Sequence, residues 1–231
     1  MTSFAAHLRF WGLAVVGLVL DLWSKDWAFE TLRQGGRRVL IPKLLEFQTM
    51  MNDGALFGIG GGQTTLFLLA SGVALVLVFV MFAQSPARSW VLQTALAAIL
   101  AGALGNMYDR LYVRLVSWRD ARGIERWYVK SDSPEGGAVR LVEYPAAPGD
   151  GGILLPPGVV EGLPREVGYV RDFIKIPTKI IGDRDLWPWV FNVADMLLVG
   201  GVGVLALRLW REPSARTQDK KERVDAGAAN S

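Results

Sequence analysis

The sequence predicts an all-α transmembrane core of four helices, with a small β-rich extramembrane part in loop 1 and in an insertion between helices 3 and 4. Three observations lead to this fold class. Hydrophobic residues make up 51% of the 231-residue chain, and the charged residues (20%) lie mostly between four apolar blocks. The mean hydropathy is +0.27, which is high for a soluble protein. Apolar blocks of about twenty residues are long enough to cross a bilayer.

The four blocks define the predicted helices. They run roughly from Phe10 to Phe29, from Thr65 to Ala83, from Trp90 to Leu111 and from Trp187 to Leu207. A cleaved signal peptide is the alternative for the first block. Because Arg9 is a thin basic region and no small-x-small cleavage site follows the apolar run, we favour a retained helix.

The connections between the blocks divide the chain. Residues 1–111 hold helices 1–3 with an external loop at 30–64, and residues 112–168 form an extramembrane insertion. Residues 169–210 hold helix 4 and the segment before it, and residues 211–231 form a polar cytoplasmic tail that we expect to be disordered. Strand-like stretches at Arg126–Lys130, Ala138–Tyr144 and Gly168–Ile176, separated by turn residues, predict that the insertion is β-rich.

Lysine and arginine predict the orientation in the membrane. Loop 1 is itself basic, and the long insertion counts little because long loops cross the membrane largely regardless of charge. The remaining basic residues favour both termini in the cytoplasm: Arg9, Arg88, Arg208, Arg211, Arg216, Lys220, Lys221 and Arg223.

Composition also excludes several kinds of chemistry. The chain has no cysteine and a single histidine, His7. Thiol catalysis, disulfides and cysteine-based metal sites are therefore excluded, and a Ser-His-Asp site or a histidine-ligated metal is not expected. No basic segment interleaved with aromatic residues indicates nucleic-acid binding. Any hydrolysis must come from carboxylates, hydroxyls, lysines or amides.

Polar residues gather at one end of the predicted bundle. If the helices alternate in direction, the end of helix 1, the start of helix 2, the end of helix 3 and the start of helix 4 share one membrane face. All of the unusual polar residues fall at these positions: Asp21, Lys25, Asn52, Asn106, Asp109, Arg110, Asn192 and Asp195. Each ionisable group in a membrane helix costs at least about 2.5 kcal/mol, so such groups usually mark function or a paired structural role.

These residues carry a family resemblance. The matching segments are Asp21-Leu-Trp-Ser-Lys25, Asn52-Asp-Gly-Ala-Leu-Phe-Gly58, Gly102-Ala-Leu-Gly-Asn106-Met-Tyr-Asp109-Arg110, Val170-Arg-Asp172-Phe-Ile174 and Trp189-Val-Phe-Asn192-Val-Ala-Asp195. Together, and in this order, they resemble the lipoprotein signal peptidases (signal peptidase II), which are aspartyl peptidases of the bacterial plasma membrane.

The chain departs from the family pattern in one important way. In the family, the segment matching Val170–Ile174 follows closely after the Asp-Arg pair that ends helix 3, whereas here the insertion separates them. An insertion of roughly fifty residues adds little closure entropy, so we expect the site to survive it. A smaller departure is Leu56, where the family often has alanine.

The resemblance implies that Asp172 and Asp195 are the catalytic pair. Two close carboxylates can act as acid and base because they cannot easily both ionise, so that one proton is shared. The alternatives are an ordinary loop acid at Asp172 and, at Asp195, an acid favoured by the helix dipole. The position of Asp172 in the pair rests mainly on the motif.

The other matched residues have implied roles with simpler alternatives. Asn52, Gly54, Asn106, Arg110 and Asn192 are expected to bind substrate. A tight turn at Asn52–Gly58, a helix cap at Asn106 and a snorkelling side chain at Arg110 are the alternatives. Three further residues are expected to be structural or supporting. Asp21 and Lys25 have the i,i+4 spacing of a helical ion pair, and Asp109 is expected to pair locally with an arginine.

The resemblance also implies a reaction and its setting. The substrate would be a prolipoprotein carrying a diacylglyceryl-modified cysteine, cleaved just before that cysteine at the outer face of the bacterial plasma membrane. Membrane lipids would be partners, no cofactor or metal is needed, and the cyclic peptide globomycin is the expected inhibitor. A small transporter or proton-relay protein and a non-catalytic membrane scaffold remain the alternatives from the residues alone.

Overall fold

The computed structural model describes residues 3–54, 64–119, 123–132, 138–147, 149–160, 162–179 and 186–211. Ala55–Gly58 of the motif before helix 2 and the predicted tail after residue 211 lie outside these ranges. Four of the described helices are long and apolar enough to cross a membrane: α1 (Phe4–Leu32), α2 (Thr64–Gln84), α3 (Trp90–Tyr112) and α5 (Val193–Arg211). The chain is therefore a multi-pass membrane protein, and its described residues contain the predicted number of candidate spans.

The fold is mixed rather than purely helical, because two antiparallel sheets accompany the bundle. The first contains β1 (Arg37–Ile41), β2 (Leu45–Asn52), β8 (Val170–Lys175) and β9 (Val190–Phe191), in the order β1-β2-β8-β9. It joins the loop after α1 to the segment before α5. The pairing of β2 with β8 sets Met50 opposite Asp172 and Asn52 opposite Val170.

The second sheet is built from the insertion. It contains β3 (Arg114–Arg119), β4 (Glu125–Asp132), β5 (Val139–Glu143), β6 (Ile153–Leu155) and β7 (Val167–Gly168), and the single-turn α4 (Pro157–Val160) follows β6. The strand order is β6-β5-β4-β3-β7. The first and last strands in sequence, β3 and β7, are therefore neighbours.

This pairing closes the insertion at its base. Arg114 lies opposite Gly168, and the backbone N–H of Tyr169 donates to the carbonyl of Val113 at 3.0 Å. Gly168 is required there because a Cβ atom would lie 2.0 Å from the carbonyl oxygen of Arg110. The chain thus returns to the end of α3 before β8 begins, which is why the inserted residues do not separate the elements of the site.

The start of the fourth spanning helix differs from the prediction. The apolar block begins near Trp187, but α5 begins at Val193. Pro188 disfavours helical backbone in the residue before it, and Val190–Phe191 pairs with β8 instead. Hydropathy cannot distinguish this short apolar strand from the first turns of a helix.

Helix α3 lies at the centre of the bundle and packs against α1, α2 and α5. Small residues allow this close approach. A Cβ atom at Gly102 would lie 2.4 Å from the carbonyl oxygen of Ala194 in α5, and one at Gly105 would lie 2.3 Å from Oδ2 of Asp21 in α1. The polar ends of α1, α3 and α5 therefore meet without bulky side chains between them.

Candidate active site

Asp172 and Asp195 reach the site from different elements, and Asn192 connects them. Asp172 lies on β8 and is fully buried, while Asp195 lies in the first turn of α5. The side-chain amide of Asn192 donates to Oδ1 of Asp172 at 2.6 Å. The backbone N–H of Asn192 donates to Oδ2 of Asp195 at 3.2 Å. One buried asparagine thus holds an oxygen of each carboxylate.

Local sequence explains the position of Asp195. The side-chain oxygen of Asn192 accepts from the backbone N–H of Asp195 at 2.9 Å, and the carboxylate of Asp195 accepts from the backbone N–H of Asn192. This reciprocal pattern is a capping box, which satisfies two N–H groups at a helix start. Asp195 therefore also has the favourable helix-start position that was the simpler alternative for it.

Two further asparagines hold the outer oxygens of the pair. The side-chain amide of Asn52 donates to Oδ2 of Asp172 at 2.9 Å, and that of Asn106 donates to Oδ1 of Asp195 at 2.8 Å. The side-chain oxygen of Asn106 accepts from Asn192 at 3.2 Å and from Lys25 at 3.1 Å. Asn52, Asn106 and Asn192 therefore contact the carboxylates directly, and their binding of substrate stays a prediction.

Asp21 and Lys25 form the ion pair that their spacing predicts, at 2.8 Å and fully buried. Oδ1 of Asp21 accepts from the backbone N–H of Ala194 at 2.7 Å, which ties α1 to the start of α5. Lys25 also contacts Asp109 at 3.3 Å. This pair is thus part of the frame that positions Asn106 and Asp195.

Asp109 pairs with an arginine, as expected, but the prediction that this arginine is close in sequence is wrong. Its partner is Arg171, 62 positions along the chain, which donates to Asp109 from its backbone N–H at 3.0 Å and from Nη2 at 2.8 Å. Arg171 also bonds to Asp26 and, at 3.3 Å, to the hydroxyl of Tyr144 in the insertion. Burial alone would lower the pKa of Arg171, but the carboxylate of Asp109 more than offsets this, so the pKa is raised.

Sequence reasoning missed Arg171, Asp26 and Tyr144. The one signal in the sequence that pointed to Arg171 was its position just before Asp172 inside a matched motif. Neighbouring residues of a strand point to opposite faces. The hydrogen bonds that Arg171 donates to Asp109 therefore hold one face of β8, and Asp172 points from the other face.

Arg110 lies beside the pair and contacts the loop after β2. Its Nη2 donates to the carbonyl of Gly54 at 2.6 Å, and the backbone N–H of Gly54 donates to the side-chain oxygen of Asn52 at 2.9 Å. The guanidinium lies 5.1 Å from the ring centre of Phe67 in α2. Its Nε is buried without a hydrogen-bond partner among the described residues.

The environment favours a shared proton. Burial, together with the nearby charge of Asp195, raises the pKa of Asp172 to about 8, even though hydrogen bonds from Asn52 and Asn192 and the charge of Lys25 oppose the rise. Two carboxylates in this situation hold one proton between them near neutral pH. The pair then contains both a proton donor and a proton acceptor, which is the requirement for adding water to a peptide carbonyl.

Two apolar grooves meet at Asp195. One, of about 320 Å³, is lined by Ile176, Trp187, Phe191, Met196 and Val199. The other, of about 240 Å³, lies between α2, α3 and α5 and is lined by Phe67, Ala70, Ser71, Ala74, Ala103 and Leu198, with Asn106 and Arg110 at its polar end. Among the described residues, no group of three or more acidic or histidine side chains is arranged to hold a metal ion.

A membrane protein that pairs a buried carboxylate on a strand with a second at the start of a spanning helix has the arrangement of a membrane aspartic hydrolase. The family model for signal peptidase (SPase) II matches residues 13–211. The chain therefore belongs to the signal peptidase II family, the aspartic peptidases that remove signal peptides from prolipoproteins.

Individual relatives agree with this assignment. The lipoprotein signal peptidase of Desulfitobacterium hafniense (strain DSM 10664 / DCB-2) is 26% identical over 90% of this chain and 94% of its own length. That of Lactobacillus gasseri is 31% identical over 45% of this chain and 68% of its own length. Among solved structures, a bacterial membrane enzyme determined by the in meso method has a TM-score of 0.59 at 23% identity and covers 89% of both chains, which shows the fold alone.

Proposed function

We propose that Asp172 and Asp195 cleave the prolipoprotein immediately before its diacylglyceryl-modified cysteine. The observation that carries this proposal is the bridge from Asn192 to both carboxylates. It holds two buried acids that the chain brings together from a strand and a helix. The family assignment supplies the reaction, and the bridge supports Asp172 and Asp195 as the groups that perform it.

The chemistry follows from one shared proton. The ionised carboxylate takes a proton from a water molecule, whose oxygen attacks the scissile carbonyl carbon, while the protonated carboxyl donates its proton to the carbonyl oxygen. In the collapse of the resulting diol, the carboxyl that took the proton from water donates it to the amine nitrogen as the C–N bond breaks. The other carboxylate takes a proton from a diol hydroxyl, which restores the pair to one shared proton. The amine belongs to the lipidated cysteine, and the new carboxyl group belongs to the signal peptide.

Arg110 and Asn52 are proposed to position the substrate backbone. The unpaired Nε of Arg110 and the amide of Asn106 border the groove next to Asp195. A buried donor without a partner costs free energy. A substrate carbonyl that accepts from Nε would remove this cost without breaking an existing hydrogen bond. The turn at Gly54 carries Asn52 and is held to Arg110.

The two grooves are proposed to hold the apolar parts of the substrate. Both have walls of apolar side chains, and both reach Asp195 from the bilayer side of α5. A diacylglyceryl group and a signal-peptide helix need separate apolar surfaces on either side of the scissile bond. We assign one groove to each and expect the substrate to enter laterally from the membrane.

The proposed setting is the plasma membrane of a bacterium, with both termini in the cytoplasm and the carboxylates at the outer face. Globomycin is the expected inhibitor. A transporter or proton relay is less well supported, because the acidic groups of the described spanning helices gather at one end rather than along a path through the bundle. Proteolysis of intact spheroplasts tests the orientation, since the insertion should be cut without lysis.

Cleavage of a purified diacylglyceryl prolipoprotein by Asp172→Asn and Asp195→Asn proteins tests the catalytic pair. Loss of an acid or base costs about 10²- to 10⁴-fold in rate. Asp150→Asn, an exposed acid of the insertion, is the matched control and should cleave at the normal rate. Cleavage at the normal rate by either active-site variant would refute the assignment.

A further inference from the structure

A pocket lies on the side of the bundle where α1 and α3 meet the base of the insertion. It has a volume of about 250 Å³ and is lined by Asp26, Tyr108, Tyr112, Val113, Arg114, Leu115, Val129, Tyr144 and Arg171. Neither catalytic carboxylate contributes to it. Val129 and Tyr144 belong to the insertion, so the inserted strands complete its wall.

The pocket opens where the helices leave the membrane. Helix α1 has 29 residues, so it is about 43 Å long, compared with about 30 Å for the hydrocarbon layer. Its last turns, which include Asp26, therefore extend towards the headgroups. Tyr108 and Tyr112 lie one turn apart near the end of α3 with ring centres 4.7 Å apart, and both are exposed. Exposed tyrosines at a helix end are typical of the membrane interface.

The charges around the pocket favour a cation. Among the described residues, the ion pairs that connect the carboxylates of Asp21, Asp26 and Asp109 include two cations, Lys25 and Arg171. The excess negative charge is located at Asp26 on the solvent side, because the side chain of Asp26 is 60% exposed while that of Arg171 is 4% exposed. Arg171 does not repel a ligand strongly, since the buried carboxylate of Asp109, which accepts from its Nε and Nη2, already neutralises it. Aromatic rings next to a carboxylate attract ammonium groups.

A second charge at the rim suits a phosphate. Arg114 is half-exposed. Its Nε lies 3.9 Å from the carboxylate of Glu166, which is a loose ion pair, and its Nη2 donates to the backbone carbonyl of Glu166 at 3.2 Å. Arg114 and Asp26 both line the pocket. The pocket therefore presents one cationic and one anionic group beside an aromatic pair at the bilayer surface.

We propose that this pocket binds the headgroup of an aminophospholipid, with its ammonium against Asp26 and the tyrosine rings and its phosphate against Arg114. Phosphatidylethanolamine has this combination of charges, whereas phosphatidylglycerol lacks the ammonium. The lipid would come from the surrounding outer leaflet, and its acyl chains would lie along α1 and α3. The site is separate from the catalytic pair, so its failure would leave the peptidase assignment intact.

Native mass spectrometry of the purified full-length chain tests the proposal. Micelles are supplied with equal amounts of phosphatidylethanolamine and phosphatidylglycerol that carry the same acyl chains. We expect preferential retention of phosphatidylethanolamine, reduced about fivefold in Asp26→Asn and in Tyr108→Leu. Glu30→Gln makes the same charge change as Asp26→Asn one turn further along the exposed face of α1, and it should retain the preference.

Two substitutions keep the test decisive. Asp26→Asn could disturb Arg171. Within the described part of the chain Tyr108 makes no hydrogen bond or ion pair to that network, so Tyr108→Leu reports on the pocket itself. Equal retention of the two lipids, or an unchanged preference in Tyr108→Leu, would overturn the proposal. Binding of soluble phosphoethanolamine without preferential retention of the lipid would assign the pocket to a small solute and would overturn it as well.

Discussion

Asn192 donates its side-chain amide to Oδ1 of Asp172 at 2.6 Å while its side-chain oxygen caps the first turn of α5. The same asparagine therefore starts a spanning helix and sets the distance between that helix and β8. Helix capping and the geometry of the candidate active site depend on one residue.

This dual role predicts separable effects of substitution. Asn192→Ala should lower helix stability by about 1 kcal/mol through loss of the cap and lower kcat about a hundredfold through loss of the bridge. Asn192→Ser should recover the cap, because a serine oxygen accepts from the same N–H, but its short side chain should not reach Asp172. Thermal unfolding and cleavage kinetics measure the two effects. If Asn192→Ser recovered kcat together with stability, the bridge would have no catalytic role.

The raised pKa of Asp172 predicts the pH dependence of cleavage. Since its pKa is raised to about 8, the shared proton is lost above that value, and kcat/KM should fall on the alkaline side with a midpoint near pH 8. The stability effect has the same direction. The folded state holds this proton more tightly than the unfolded state does, so stability falls as pH rises from about 4 to about 8.

Unfolding of Asp172→Asn in detergent checks the second part. The variant cannot titrate at this position, so its stability should depend less on pH in that window. An alkaline limb far above pH 8 in the cleavage profile, or an unchanged slope of stability in the variant, would contradict the assignment of this proton to Asp172.

The contact between Gly105 and Asp21 predicts a strongly destabilising substitution. A Cβ atom in Gly105→Ala would lie 2.3 Å from Oδ2 of Asp21, so α1 and α3 would have to separate at the ion network. We expect a loss of about 1–3 kcal/mol in the free energy of unfolding. Gly72→Ala in α2 is the control, because nothing lies within 4 Å of its Cβ position. Equal effects of the two substitutions would show that helix propensity, rather than the contact, is responsible.

The groove between α2, α3 and α5 predicts a change in substrate binding. Ala70→Phe fills part of this groove at a distance from the carboxylates, so KM for the lipidated substrate should rise about tenfold with kcat little changed. Leu69→Phe places the same ring at a neighbouring, exposed position of α2 and should leave KM unchanged. A loss confined to kcat in Ala70→Phe would argue against an apolar binding role for the groove.

The parts of the fold that sequence predicts are those with a local signal. The apolar blocks predicted the four spans, and the i,i+4 spacing of Asp21 and Lys25 predicted their ion pair. The start of α5 was missed because Val190 and Phe191 are equally apolar in a strand or a helix. The partner of Asp109 was missed because Arg171 comes from the far side of the insertion, and no periodicity reports such a contact.

The same reasoning explains the uneven prediction of the candidate site. Asp195 stands at a helix start beside other polar residues, so its position alone made it conspicuous. A single acid such as Asp172 in a polar segment carries no such signal, and its full burial arises only when β8 pairs with β2. Its role was predicted from the motif alone, as was that of Asn52.

The position of Asp195 in the first turn of α5 also sets the depth at which the chain can work. This helix has 19 residues, so it is about 28 Å long, close to the thickness of the hydrocarbon layer. We therefore expect the carboxylate to lie at the boundary between hydrocarbon and headgroups, level with the glycerol of a neighbouring lipid. In the proposed reaction, a cysteine that carries a diacylglyceryl group would be held at this same level by its own acyl chains, so the bilayer would bring the chain and its substrate into register before they touch.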